Sequence, residues 1–158
     1  VTDYWLDNKP TASIFYVHQE ADVNTTGGEY VAYCFASVTG FCKINRYIGN
    51  NSSDGAFIHL GFKPSLVISK RFDDNDGYNW YMMTDKASDS GGGNPLDRPL
   101  FCNTNGAENN GDNNIDFLSN GFKIRGTGAA QNGNTVNYGY MAWGQPIISN
   151  SGVVATAR

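Results

Sequence analysis

Apolar residues along this chain fall in short runs, interrupted every eight to twelve residues by glycine, asparagine, aspartate or serine. Such spacing belongs to the strands of a sandwich or barrel rather than to helices. The pattern predicts strands over Ala12–Gln19, Glu29–Val38, Lys43–Ile48, Ala56–Leu60, Ser65–Arg71, Tyr78–Thr84, Pro99–Asn103, Ile115–Leu118, Gly121–Arg125 and Asn137–Gly144. In "SLVISKR" the unbroken Leu66, Val67 and Ile68 suit a strand covered on both faces. In "GFKIRG" the apolar Phe122 and Ile124 alternate with Lys123 and Arg125, as on a strand with one wet face. Asn120-Gly121 and Asp54-Gly55 are hairpin signals, and Pro64 disfavours helix at Lys63, just before a buried strand. No segment carries helical periodicity. The expected fold is all-β, an antiparallel β-sandwich of jelly-roll or lectin-like type.

Two aromatic runs look alike. Tyr30-Val31-Ala32-Tyr33 and Tyr140-Met141-Ala142-Trp143 share a pattern at an offset of 110 residues, each following a polar turn. Either both are ordinary buried strands, or the chain holds a partial internal repeat.

Composition narrows the function. Glycine and asparagine each occur 19 times in 158 residues, about a quarter of the chain, which favours turns. The formal charge is −4 with 16% charged residues, dispersed along the chain, so a nucleic-acid partner lacks the basic face it would need. No apolar stretch reaches the ~18 residues of a membrane span, so no membrane insertion is expected. No basic segment followed by an apolar one opens the chain. The first residue is valine, and the chain is expected to be processed or cut from something longer. Cys34, Cys42 and Cys102 sit in or beside apolar runs without C-x-x-C spacing, which reads as three small buried hydrophobes. A disulfide between two of them would leave the third over.

The ordered stretches "EYVAYCFASVTGF", "YIGNNSSDGAFIHLGFKPSLVISKR", "YNWYMMTD" and "IDFLSNGFKIRGTGAAQNGNTVNYGYMAWGQP" resemble an uncharacterised domain family. That family is common in structural proteins of marine tailed phages, cyanophage-like among them, and its members resemble virion proteins described as tail fibres or lectin-like adhesins. The resemblance implies a division into residues 1–36, the rear part of a preceding unit or N-terminal strands; 37–146, the β-sandwich; and 147–158, a C-terminal tail. It implies partners among other virion subunits, a homo-oligomer that in phage fibres is usually a trimer, and a position on the virion surface. It brings no catalytic residue.

Candidate chemistry is sparse. His18 and His59 each stand alone in an expected strand, whereas a metal site wants several convergent ligands. In "DDNDG", Asp73, Asp74, Asn75 and Asp76 offer oxygens on a tight turn, and Asp73, Asn75 and Gly77 imitate the start of a calcium loop. The twelfth position is Thr84 rather than an acid, so calcium is a candidate only, no other cofactor is expected, and a plain hairpin loop explains the segment equally. Three glutamates and twelve aspartates single out no acid pair for glycoside hydrolysis. The amides of Asn105, Asn109 and Asn110 in "NTNGAENNGDNN" suit sugar hydroxyls, and Tyr78, Trp80 and Tyr81 suit stacking on a sugar face; a solvated loop and a core strand are the plainer readings. The functional expectation is a non-enzymatic virion domain on an exposed appendage, for attachment to a host glycan or receptor or for appendage assembly. A lectin-like carbohydrate-binding module is the alternative, and a glycan-degrading tailspike enzyme a third class.

Overall fold

The structure, a computed structural model, describes residues 10–73, 77–87, 93–108 and 114–145. The chain forms two compact units, Val1–Cys34 and Phe35–Arg158.

In the first unit, the strand expected over Ala12–Gln19 does not form. Thr11 closes a turn instead: its N–H donates to the carbonyl of Ile14 at 2.8 Å, and its hydroxyl accepts from the N–H of Ile14 at 3.1 Å. A side chain that bonds backbone three residues on competes with a sheet ladder, and here it wins. One helical turn follows, α1 (Ala21–Asn24). The Tyr30 hydroxyl clamps it, donating to the Ala21 carbonyl at 2.6 Å and accepting from the Thr25 N–H at 2.9 Å.

The run Glu29–Val38 is not a strand either. Val31 and Tyr33 are exposed, Tyr33 to 81%, and only Val38 makes an isolated bridge, to Cys42. Tyr30–Tyr33 and Tyr140–Trp143 therefore do not occupy equivalent strands, and the partial repeat has no counterpart among the described residues. The cysteine expectation also needs correcting. Cys42 is buried and donates to the Ala36 carbonyl at 3.2 Å, whereas Cys34 and Cys102 are exposed; all three are free.

The second unit is an all-β antiparallel sandwich. Its strands are β1 (Cys42–Ile48), β2 (Phe57–His59), β3 (Pro64–Arg71), β4 (Tyr81–Thr84), β5 (Leu100–Phe101), β6 (Ile115–Leu118), β7 (Gly121–Ile124) and β8 (Asn137–Gly144), with one helical turn, α2 (Ala129–Asn132). A five-stranded sheet runs in the order β1-β8-β3-β4-β5 and a three-stranded sheet in the order β2-β7-β6. The core lies between them. Tyr47, Val67, Met83, Tyr138, Tyr140 and Ala142 from the larger sheet meet Ile58, Ile115, Phe117, Phe122 and Ile124 from the smaller. Strand β8 alternates strictly, with Tyr138, Tyr140 and Ala142 inward and Gly139, Met141 and Trp143 outward. Tyr47, Phe122 and Tyr140 set their rings edge-on or tilted at 5.4–6.3 Å, geometry that aromatic quadrupoles favour.

Two glycines serve close approach. Register pairs Leu118 with Gly121, so the turn is Ser119–Asn120, one residue earlier than the Asn-Gly signal predicts. Gly121 belongs to β7, where a Cβ would sit 2.1 Å from the carbonyl oxygen of Ile58 on β2. Gly55 plays the same part, since a Cβ there would lie 2.5 Å from the Ile124 carbonyl oxygen. Neither requires a positive φ.

The sheet edges are short or closed. Edges β5 and β2 have two and three residues. Along the free side of β1, the N–H of Cys42 goes to the Val38 carbonyl at 2.9 Å, that of Ile44 to the Ser37 hydroxyl at 3.1 Å, and that of Arg46 to the Asn45 side chain at 2.8 Å. On β6 the Asn94 amide imitates a strand, accepting from the Phe117 N–H at 2.8 Å and donating to its carbonyl at 2.9 Å. Edges closed in this way resist pairing with other chains.

Asn132 ties the loops to the sandwich. It is wholly buried; its amide donates to the carbonyls of Ser52 and Gly126, both at 2.8 Å, and its Oδ1 accepts from the Asn50 N–H at 2.9 Å. Buried amides are tolerated only when satisfied in this way.

Candidate functional site

The outer face of the five-stranded sheet carries an apolar row. Ile44 on β1 opposes Met141 on β8, Met141 opposes Ile68 on β3, and Ile68 opposes Met82 on β4. The unbroken Leu66-Val67-Ile68 run is the cause: Val67 fills the core, while Leu66 and Ile68 stand half-buried on the outside. At one end of the row the backbone leaves the sheet through Phe72 and Trp80, exposed to 50% and 42%. Between these rings and Ile44, Ile68, Met141 and the bare backbone of Gly139 lies a trough of about 260 Å³. That is just under the ~300 Å³ at which drug-sized pockets begin, and suits a shallow seat for one ring. Phe72 forms a wall, since a Cβ built on Gly139 would lie 3.5 Å from its ring.

Trp80 is held by its backbone. Its N–H donates to Asn103 Oδ1 at 2.9 Å, its carbonyl accepts from the Cys102 N–H at 3.0 Å, and the Asn103 amide donates to Asn79 Oδ1 at 3.1 Å. Lys70, also lining the trough, gives a short hydrogen bond from Nζ to the Tyr78 carbonyl.

Of the site residues expected from sequence, Trp80 is the one among the described residues that lines the trough. Tyr78 is half-buried, and the Arg71 guanidinium lies 4.8 Å from the centre of its ring, so one stacking face is occupied. Asp73 is exposed and committed to the sheet: Oδ2 accepts from the Asn137 N–H at 2.7 Å and Oδ1 from Arg71 Nε at 3.3 Å. The bond from the Asn137 backbone, more than Arg71, holds its carboxyl below the usual range. A carboxylate so placed ties the end of β3 to β8. Asn105 is exposed in the loop after β5 and does not reach the trough. Asp74, Asn75, Asp76, Asn109 and Asn110 lie outside the described residues.

Sequence reading missed Phe72, Gly139 and Lys70 as members of a site. The available signal was β3 itself, whose outward residues are as apolar as its inward ones; its neighbours on β1 and β8 follow only from register.

The outer face of the smaller sheet is different in kind. There Asp54 pairs with Lys123 at 2.5 Å, Arg125 Nε reaches Asp116 at 2.9 Å, and Phe57 and His59 lie exposed, edge to face at 6.5 Å. The Lys123 hydrogen bond holds the Asp54 carboxyl low. Among the described residues no three histidines, cysteines or acids gather as a metal site would require, and no helix is long and apolar enough to cross a membrane.

Fold and site define a two-sheet antiparallel β-sandwich with an open trough on its larger sheet. The chain belongs to the family of the Domain of unknown function (DUF7483), whose model matches residues 1–146. No curated protein and no solved structure matches it.

Proposed function

We propose that the chain is a non-enzymatic attachment domain of a phage virion appendage, holding a host-surface glycan in the trough walled by Trp80 and Phe72. One observation carries this reading: two large aromatic rings stay exposed at the rim of an apolar hollow, on a rigid sheet, where burial would otherwise be favourable. A pyranose presents an apolar face to such rings and hydroxyls to amides such as Asn45 at the rim. The resemblance of the ordered motifs to tailed-phage structural proteins supports placement on the virion surface, among other virion subunits and in a homo-oligomer. Many copies on one appendage would multiply a weak single-site affinity through effective concentration.

A second reading has its own observation. The row Ile44–Met141–Ile68–Met82 would also seat another virion subunit, which is the assembly role. Glycan-array binding by the wild-type chain, lost in Trp80→Ala and Gly139→Val with unchanged circular dichroism, supports attachment. No glycan binding, together with sedimentation that depends on concentration and is abolished by Met141→Lys, supports assembly instead.

A further inference from the structure

The trough has charged neighbours that sort its ligands. Register places Arg46 on β1 and Lys70 on β3 opposite the same residue of β8, Gly139. All three share the outer face, so two cationic side chains flank a position that has no side chain of its own. Two strand spacings, about 10 Å, separate their backbones. Long side chains reaching inward from both sides can therefore contact one anionic group.

Among the described residues neither cation meets a counter-charge. Lys123 and Arg125 are matched by Asp54 and Asp116, and Arg71 by Asp73. Arg46 makes no ion pair among the described residues, and the hydrogen-bond partner of Lys70 is the neutral Tyr78 carbonyl. The chain as a whole carries −4, so two cations without a described counter-charge beside an apolar hollow run against its general charge. Arg46 is exposed and Lys70 half-buried; an exposed cation without a counter-charge contributes little to folding and remains available to a ligand.

We infer that the trough takes an acidic saccharide of the uronate class, its carboxylate shared between Arg46 and Lys70 and its ring against Trp80 and Phe72. The assignment rests on the attachment reading above and adds the ligand's charge to it. A carboxylate spans two cations on opposite sides with its two oxygens, the guanidinium fork taking one edge; a sulfate ester offers a third oxygen, and a sulfated probe separates the two. Attraction at exposed cations is screened over about 8–10 Å at ordinary ionic strength, so the charge preference should fade in salt while stacking persists.

Calorimetric titration of the full chain with oligogalacturonate, a κ-carrageenan oligosaccharide and a neutral laminarin oligosaccharide of matched length tests the assignment. Oligogalacturonate should bind at least about tenfold tighter than the neutral probe, a difference of about 1.4 kcal/mol. That advantage should vanish in Arg46→Gln/Lys70→Gln and in molar salt, where acidic and neutral probes should bind alike. Trp80→Ala should weaken every probe alike. Equal affinity for acidic and neutral probes overturns the charge assignment and leaves attachment standing. Tighter binding of the sulfated probe overturns the uronate class. Binding of no probe overturns both.

Discussion

Tyr47 and Tyr138, direct cross-strand partners on β1 and β8, stack their rings at 5.0 Å with 14° between planes, and both hydroxyls end on the single helical turn α2. Tyr47 donates to the Gln131 carbonyl at 2.8 Å, and Tyr138 to the Ala129 carbonyl at 2.6 Å while accepting from the Gly133 N–H at 2.7 Å. The pair joins sheet to loop through oxygen atoms that must stay protonated.

Alkaline pH should therefore dismantle the domain. Burial is the first cause raising both phenols above their ordinary range. A raised folded-state value means that the unfolded chain releases the proton first. The stability these groups supply is whole below about pH 10 and is lost as pH rises toward their folded values. Tyrosinate absorbance at these positions should appear together with loss of the β-sheet dichroism. Ionisation of both in a chain that remains folded would contradict the buried pair.

At the acid end Asp73 should matter. Its depressed carboxyl supplies stability above the unfolded value near pH 4, and this is lost as pH falls through the folded value. Asp73→Ala should lower the urea midpoint at pH 7, and the deficit against wild type should close as pH falls through the folded value. A deficit independent of pH would show that the carboxylate's charge plays no part.

Asn132→Ala should cost about 2–4 kcal/mol, because it removes three side-chain hydrogen bonds at once and strands the buried Gly126 carbonyl. Urea unfolding measures the loss. Asn132→Asp should be no milder, since a carboxylate cannot donate to the carbonyls of Ser52 and Gly126.

Gly121→Ala should cost about 1–3 kcal/mol by forcing β2 from β7. Alanine at Asn120, in the turn itself, should cost less. If the two were reversed, the glycine would be serving the turn after all.

The closed edge of β1 makes a prediction about solubility. Ser37→Ala with Asn45→Val frees the N–H groups of Ile44 and Arg46, and light scattering should then grow with concentration while the melting temperature barely moves. Unchanged scattering would mean that these two side chains do not guard the edge.

What the sequence made legible was local. Alternation placed β7, with Phe122 and Ile124 inward, and β8, because each strand's burial follows its own residues. The run Glu29–Val38 has equal strand propensity, but a strand also needs a partner, and apart from the isolated Val38 bridge this run forms no ladder among the described residues. Ala12–Gln19 was lost to one side chain, Thr11, bonding backbone three residues on. The trough was legible only at Trp80. Its other members meet through register between β1, β8 and β3, up to about a hundred residues apart in sequence, and no local pattern encodes that.

The position of β8 governs when this molecule can come into being. It is the last of the described strands, yet it lies between β1 and β3. As the chain leaves the ribosome, β1 has no ladder partner among the described strands until some ninety residues later, when a single segment slots in between two waiting neighbours and completes the sheet and the trough together. Assembly by such distant pairing is slow. During that interval the nascent chain holds an open gap shaped for any β8, including one from an adjacent copy. Crowded synthesis of many copies would thus favour strand exchange, and spacing between nascent chains becomes a condition for making the monomer.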